Sequence, residues 1–322
     1  MAESGYKKKI MIKTINDAIS EKGDYLAGGT DYMDRKRHHL IGDRPIDLMG
    51  IDGLDQITVD PKGGVTIGAL TSMFNVAQTA VLQEKYAGLA QAAGALATPQ
   101  IRQVGTIGGN LTQATRCQYY RHPNLTCTKK GDAVCGGREG YHPNGVVFDN
   151  GGCVAPHPST LAMALMAYDA QVEINGAEIR PIFDLYGDGS DHSRDHLLGE
   201  DEIITRIILS ATEAKEKAAY FRASARARAE WAIVECVACL VMSGDTIKQA
   251  FVSVGGVAPV PLRLPQVEAA LVGNRAVAET FNEAAQLAAE GANPLPQTEY
   301  KVPLLCNSVE ETLLRAAGLA EE

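Results

Sequence analysis

The sequence predicts an α+β protein with two parts, a ligand-binding N-terminal part and a smaller C-terminal part made of a sheet and helices. Short β-like segments alternate with helical segments until a charged stretch at 211–217, which we take as a boundary. Beyond it, apolar segments predict strands over 218–228, 232–242 and 246–255, with helical patterns from residue 264 to the end. A Ser243-Gly244-Asp245 turn makes the last two strands an antiparallel hairpin.

Elements of the N-terminal part follow from apolar periodicity, capping residues and turn residues. The predicted helices lie at 14–22, 31–40, 82–97 and 159–168. The predicted strands lie at 25–27, 45–48, 56–59, 65–68, 170–174 and 203–209. Thr14 and Ser159 are suited to cap the N-termini of the first and last of these helices, because their hydroxyls can accept an orphan backbone N–H.

Length and charge bound the class of protein. At 322 residues the chain can form two or three domains with well-developed cores. A formal net charge of −9 argues against nucleic acid or an anionic membrane as its partner. No apolar run approaches the roughly 20 residues that span a bilayer, and the basic N-terminus leads into no secretion signal. We therefore expect a cytoplasmic protein whose seven cysteines are thiols or metal ligands rather than disulfides.

Two glycine loops carry the first functional signal. Each places paired glycines after a β-like apolar segment and follows them with small hydroxyl or amide side chains. Glycines let a backbone approach a ligand closely, and consecutive N–H groups form an anion-binding concavity. Neither loop fits the Rossmann or P-loop pattern, so the pair indicates either a two-sided diphosphate site or simple turns. The loops consist of Leu26, Ala27, Gly28, Gly29, Thr30 and Asp31, and of Thr106, Ile107, Gly108, Gly109 and Asn110.

Four cysteines follow the second loop with the spacing C-x9-C-x7-C-x17-C; they are Cys117, Cys127, Cys135 and Cys153. The segment that holds them has too few aliphatic residues for a core of its own, so a shared metal centre would give it order. A [4Fe–4S] cluster needs four thiolates and tolerates long spacings. Structural zinc usually draws on C-x2-C pairs, and none occurs here. Residues 117–153 leave three alternatives open: an iron–sulfur cluster, zinc, or thiols without metal.

The remaining motifs give less information about function. Cys236 and Cys239 have C-x2-C spacing but lie in an apolar strand, where residues three apart face opposite sides, so we expect them to be core residues. The sequence contains neither a Gly-x-Ser-x-Gly elbow nor a His-Glu-x-x-His motif. If the chain is an enzyme, a cofactor supplies its chemistry.

These residues resemble a known family. Segments 25–31 and 105–111 are similar to the two FAD-binding signatures in the flavin subunit of molybdenum hydroxylases, the family of xanthine dehydrogenases, carbon monoxide dehydrogenase and aldehyde oxidoreductases. Segment 157–170 and residues 218–320 resemble later parts of the same subunit. The resemblance implies a vanillyl-alcohol-oxidase-type (PCMH) FAD-binding fold of two α/β subdomains over 1–212. It also implies a C-terminal α+β domain, with a three-stranded antiparallel sheet and helices, over 213–322.

The resemblance also implies a set of site residues. Leu26 to Asp31 and Thr106 to Asn110 would hold the FAD diphosphate and neighbouring atoms. Arg222 stands where related chains often have Lys near the flavin, and Thr160 stands where they often have Asp. Segment 115–155 is similar to an insertion in the flavin subunits of 4-hydroxybenzoyl-CoA reductase and periplasmic-type aldehyde oxidoreductases. That insertion carries a [4Fe–4S] cluster, which makes the four cysteines its expected ligands.

The function implied is that of an electron-transfer subunit. Its partners would be a molybdopterin-binding large subunit and a [2Fe–2S] small subunit, with substrate chemistry on a partner chain. FAD and the extra cluster here would exchange electrons with an external carrier. Two alternatives stay open: a stand-alone FAD oxidase of the same fold, and a non-catalytic scaffold held by zinc.

Overall fold

The computed structural model of the chain describes residues 10–212, 216–226 and 229–320, so the predicted boundary at 212/213 adjoins residues outside these ranges. The strands are β1 (Ile10–Met11), β2 (Asp24–Leu26), β3 (Pro45–Asp47), β4 (Ile57–Val59), β5 (Val65–Gly68), β6 (Gln171–Ile174), β7 (Glu178–Pro181), β8 (Ile204–Leu209), β9 (Glu216–Ala223), β10 (Val234–Ser243), β11 (Thr246–Gly255) and β12 (Leu262–Arg263).

Helices connect these strands and cover the sheets. They are α1 (Ile15–Ser20), α2 (Tyr32–Arg37), α3 (Met73–Gln78), α4 (Ala80–Lys85), α5 (Ala87–Ala95), α6 (Pro99–Val104), α7 (Ile107–Leu111), α8 (Gln118–Arg121), α9 (Gly136–Glu139), α10 (Thr160–Met166), α11 (Pro265–Leu271), α12 (Ala278–Gln286) and α13 (Lys301–Ala317). Thr14 and Ser159 cap α1 and α10 as expected, each accepting a backbone N–H three residues ahead. The predicted α+β class is confirmed.

Two sheets form the N-terminal part. The first is parallel, in the order β1-β3-β2, and it packs on α1 through Ala18 and Ile46. The second has five strands in the order β4-β5-β8-β6-β7 and includes the predicted hairpin of β4 and β5. Apolar side chains of β5, β6 and β8 share one buried cluster with those of α3, α5 and α10.

The C-terminal sheet has four strands, in the order β12-β11-β10-β9, so the expectation of three was wrong. Strand β12 pairs with β11 at only two positions, Ser253 with Arg263 and Val254 with Leu262. An edge strand of two residues is too short to show the alternation of apolar and polar side chains that predicts a strand. Strand β9 ends at Ala223 rather than at residue 228, whereas the hairpin of β10 and β11 is confirmed.

The predicted helix over 82–97 is two helices, because the chain bends at Tyr86. The Tyr86 hydroxyl donates to the Ser210 carbonyl at 2.7 Å, and its ring is fully buried. Since this partner lies far along the chain, the break has a tertiary cause that local propensity does not reveal.

Residues 117–153 form a segment that we call the cysteine insertion, built from short helical turns and loops. Arg138 fixes it internally with two hydrogen bonds to the Asp149 carboxylate, at 2.9 and 2.8 Å. Thr298 and Lys301 fix it to the C-terminal part by donating to the carbonyls of Val146 and Gly145, at 2.9 and 2.8 Å. The insertion is therefore clamped between the two parts of the molecule.

None of the helices in the described ranges has both the length and the apolar character that crossing a membrane requires.

Candidate functional site

The two glycine loops meet in space. A Cβ atom placed on Gly28 would lie 1.7 Å from the Val104 carbonyl oxygen, so the loop after β2 touches the end of α6. A Cβ on Gly105 would lie 3.5 Å from the Thr30 hydroxyl oxygen. Residues about eighty positions apart thus form one surface. Only glycine allows this closeness at position 28.

The first loop presents free donors. Gly29 has φ +76°, a left-handed conformation that favours glycine. Among the described residues, the N–H groups of Gly28, Gly29 and Thr30 donate to no protein acceptor. Thr30 is exposed and the glycines are half-buried. A row of open N–H groups of this kind suits an anionic oxygen.

The second loop is more closed. The N–H groups of Ile107 and Gly108 donate to the carbonyls of Thr71 and Ala69, at 2.9 and 2.8 Å. That of Gly109 donates to the Thr106 hydroxyl at 3.1 Å. The Asn110 side chain accepts a hydrogen bond from the Ser159 hydroxyl at 2.7 Å. This loop supports the first one, and only Gly109 among its residues is not buried.

Asp31, at the end of the first loop, connects it to the cysteine insertion. Its Oδ1 atom lies 2.8 Å from Nη2 of Arg121 and 3.0 Å from Nη1 of Arg116. Its Oδ2 atom accepts the backbone N–H of Ala114 at 3.1 Å. Charge-assisted contacts of this kind are short and orienting. They hold the start of the insertion against the glycine loops.

The four cysteines of the insertion lie near one another. Burial raises the pKa of the Cys117, Cys127 and Cys153 thiols, that of Cys153 to about 12. Cys135 is close enough to these three that its charge raises the same pKa values further. Backbone hydrogen bonds lower the same three pKa values. They come from Tyr119 and Tyr120 at Cys117, from Lys129 at Cys127, and from Ala155 at Cys153.

A single metal ion needs its ligands around one point. Within the described ranges, no group of three or more His, Cys, Asp or Glu residues has that arrangement. The four cysteines lie in one region, but their sulfurs do not surround a common point. By contrast, Cys236 and Cys239 are fully buried in β10, as expected of core residues.

A cavity of about 480 Å³ opens beside the insertion and is walled by both parts of the chain. Its N-terminal walls are 115–119, 141–145, 154–158 and Thr160, and its C-terminal walls are 225–226, 230–233, Glu235 and Gly256. Glu235 is buried there and accepts hydrogen bonds from the Thr160 hydroxyl at 2.8 Å and the Tyr220 hydroxyl at 2.9 Å. Burial raises the pKa of Glu235. Sequence reasoning singled out neither Glu235 nor the cavity.

Arg222 connects three neighbouring segments through its guanidinium group. Its Nη1 donates to the Ala95 carbonyl at 2.7 Å, and its Nη2 donates to the Glu230 carbonyl. Arg222 thus ties β9 to α5 and to the loop before β10. It is not among the residues that wall the cavity.

Comparison with known proteins identifies the fold and family. The FAD-binding domain of molybdopterin dehydrogenases matches residues 11–211, and the C-terminal domain of the carbon monoxide dehydrogenase flavoprotein matches residues 219–316. The aldehyde oxidoreductase FAD-binding subunit of Escherichia coli K12 is 32% identical over 306 residues, which cover 92% of each chain. The carbon monoxide dehydrogenase medium chain of Hydrogenophaga pseudoflava is 23% identical over 313 residues, or 94% of this chain and 93% of that one.

Solved structures share this fold. Carbon monoxide dehydrogenase from Hydrogenophaga pseudoflava superposes with a TM-score of 0.73 over 96% of both chains, at 22% identity. Quinoline 2-oxidoreductase from Pseudomonas putida 86 gives the same TM-score and coverage at 17% identity. The chain therefore belongs to the FAD-binding medium subunits of the molybdenum hydroxylases, as an FAD-dependent oxidoreductase subunit.

Proposed function

We propose that this chain is the electron-transfer subunit of a heteromeric molybdenum hydroxylase, with FAD at the glycine loops and a [4Fe–4S] cluster on the cysteine insertion. One observation carries the proposal. Asp31 of the first loop binds Arg116, which lines the cavity, and Arg121 of the cysteine insertion, whose Cys117 also lines the cavity.

The residues fit FAD. The N–H groups of Gly28, Gly29 and Thr30 would receive diphosphate oxygens, while Leu26, Ala27 and Asp31 shape that loop. Thr106, Ile107, Gly108, Gly109 and Asn110 would support it from behind. The flavin ring would then enter the adjoining cavity, whose 480 Å³ falls within the roughly 300–1,000 Å³ usual for small-molecule sites. Arg222 would act on the flavin indirectly, by holding the loop between β9 and β10 at Glu230.

Four residues of the cysteine insertion would hold the proposed cluster. Cys117, Cys127, Cys135 and Cys153 offer the four thiolates that a [4Fe–4S] centre needs. Without metal, burial disfavours thiolates at three of these positions. Iron would offset that cost, and the backbone N–H groups at the sulfurs are the hydrogen bonds that tune such clusters.

The protein's own part in this function is to bind, orient and insulate. Bound FAD would supply chemistry that accepts electrons in pairs and releases them singly. The first loop would position its phosphates. The buried Thr160 and Glu235 line the cavity, and Tyr220 donates a hydrogen bond to Glu235 from outside the lining. The insertion covers this site and keeps the cysteines adjacent to it.

The partners follow from the family. The relatives are described as a medium chain and as FAD-binding subunits, which agrees with a molybdopterin-binding large subunit and a [2Fe–2S] small subunit as partners. An external carrier would take or give electrons at the flavin. We place the domain boundary at 212/213 and the protein in the cytoplasm.

The cofactors can be tested on anaerobically purified protein by its visible spectrum and metal content. We expect flavin bands, broad absorption near 400 nm and about four irons per chain. Zinc without flavin would refute the relay and favour the scaffold.

The ligand assignment can be tested at one cysteine. Cys135→Ser should lose iron while FAD stays bound, because the glycine loops do not depend on that sulfur. Cys306→Ser is the matched control, since Cys306 lies in α13 outside the insertion. Iron retained in full by Cys135→Ser would contradict the assignment.

A further inference from the structure

An arginine and a tryptophan from different parts of the chain stack at the cavity. The guanidinium carbon of Arg116 lies 4.8 Å from the centroid of the Trp231 ring. Arg116 precedes the cysteine insertion, whereas Trp231 lies in the loop between β9 and β10. Both residues wall the cavity. Tryptophan is the aromatic ring that attracts cations most strongly, and arginine is the cation found most often over such rings.

The two members of this stack differ in how they are held. Arg116 is fixed by Asp31 at 3.0 Å and by the Gln113 side-chain oxygen at 2.8 Å. Trp231 is 49% exposed, so its ring has one side toward the cavity wall and another toward solvent. Because Trp231 is half-exposed and also lines the cavity, it lies where the cavity meets solvent. Trp231 therefore separates part of the cavity from solvent.

We propose that the Arg116–Trp231 stack screens the flavin ring from bulk solvent, and that Trp231 limits the size of the electron acceptor that reaches it. This inference rests on the proposed binding of FAD in the cavity. Small acceptors would pass the edge of the indole, whereas bulky ones would be held off. Arg116 acts as a positioning residue, because its stack with Trp231 keeps the indole in place.

The chain contains a single tryptophan, so its fluorescence reports on Trp231 alone. Adding FAD to the deflavinated full-length chain should shorten the Trp231 lifetime to the picosecond range, as contact with a flavin ring does. Arg116→Gln should restore much of that lifetime, because the indole is then free to leave the cavity wall. Arg315→Ala is the matched control. The Arg315 guanidinium carbon lies 4.8 Å from the centroid of the Phe221 ring, and neither residue lines the cavity. Arg315→Ala should change nothing.

The size limit has its own test. Reduced flavin passes two electrons and two protons to a quinone, which leaves as the hydroquinone, or to dioxygen, which leaves as hydrogen peroxide. Trp231→Ala should accelerate reoxidation by a bulky ring-substituted quinone on the order of tenfold and leave reoxidation by dioxygen almost unchanged. Trp231→Phe should behave like the wild type.

Each outcome decides the inference. Equal acceleration of both acceptors, or FAD binding without any loss of Trp231 lifetime, overturns the screen while the flavin site stands. Failure of the chain to bind FAD at all overturns the proposed function and the screen together. Iron and FAD content of Arg116→Gln are measured first. If Arg116→Gln loses iron or FAD, the proposal is judged from Trp231→Ala alone, because Trp231 lies in the C-terminal part of the chain.

Discussion

Gly28 is the residue on which the contact between the glycine loops depends. We expect Gly28→Ala to abolish FAD binding and to destabilise the fold by about 3 kcal/mol, since its Cβ would lie 1.7 Å from a backbone oxygen that cannot rotate away. FAD retained after gel filtration and the urea midpoint measure the two effects.

The control for this substitution lies in α5. A Cβ on Gly94 would find only Ala77 Cβ, at 3.6 Å, so Gly94→Ala should keep FAD and gain stability through helix propensity. Full FAD content in Gly28→Ala would show that the loops do not need to touch.

Lys301 has a structural role that no sequence pattern predicted. It opens α13 and is almost completely buried, with Nζ donating to the carbonyls of Gly145 and Gly256. Burial lowers its pKa to about 7, from an ordinary value of 10.5. Between these values the unfolded chain keeps a proton that the folded chain has released, so stability is lost as the pH falls from 10.5 to 7.

At the scale of the element, Lys301 makes the attachment of α13 dependent on pH. Lys301→Met removes the titration and two hydrogen bonds. We therefore expect the stability advantage of the wild type over Lys301→Met to grow by about 2 kcal/mol from pH 7 to pH 9. Urea unfolding at both values measures it. Lys62→Met, on an exposed turn, should show no such growth, and an advantage that shrinks with rising pH would contradict the assigned direction.

Elements with local causes could be predicted from the sequence, and those with distant causes could not. The caps of α1 and α10 and the hairpin of β10 and β11 depend on neighbouring residues, and all were expected. The break at Tyr86 and the added strand β12 depend on partners far along the chain.

The candidate site divides in the same way. The glycine loops and the cysteines stand out as motifs. By contrast, the cavity, Glu235 and the Arg116–Trp231 stack arise only when residues more than seventy positions apart are brought together. Single residues of these types carry no signal in a sequence, because most arginines and tryptophans serve packing or solvation.

At the scale of the whole molecule, the two parts of the chain share one core. Tyr220, Val237 and Cys239 of the C-terminal sheet belong to the same buried cluster as Leu89 and Leu161 of the N-terminal part. Polar contacts cross the same boundary. The Ser253 hydroxyl donates to the Met163 carbonyl at 2.7 Å, and Arg263 donates to the Met166 carbonyl at 2.9 Å. The cavity thus lies between parts that cannot separate without exposing apolar surface.

This shared core predicts that the chain unfolds in one cooperative transition, although it has two domains by sequence. Calorimetry of the full chain should show a single peak whose van't Hoff and calorimetric enthalpies agree. A fragment ending at residue 212 should lose both its solubility and its FAD, because α5 and α10 would expose the surface that β9, β10 and β11 now cover. Ser253→Ala should lower the single transition temperature without splitting it, since one buried hydrogen bond contributes only about 1 kcal/mol. Two resolved peaks in the wild type would instead mean that the domains are independent, and that the cavity between them can open without unfolding either.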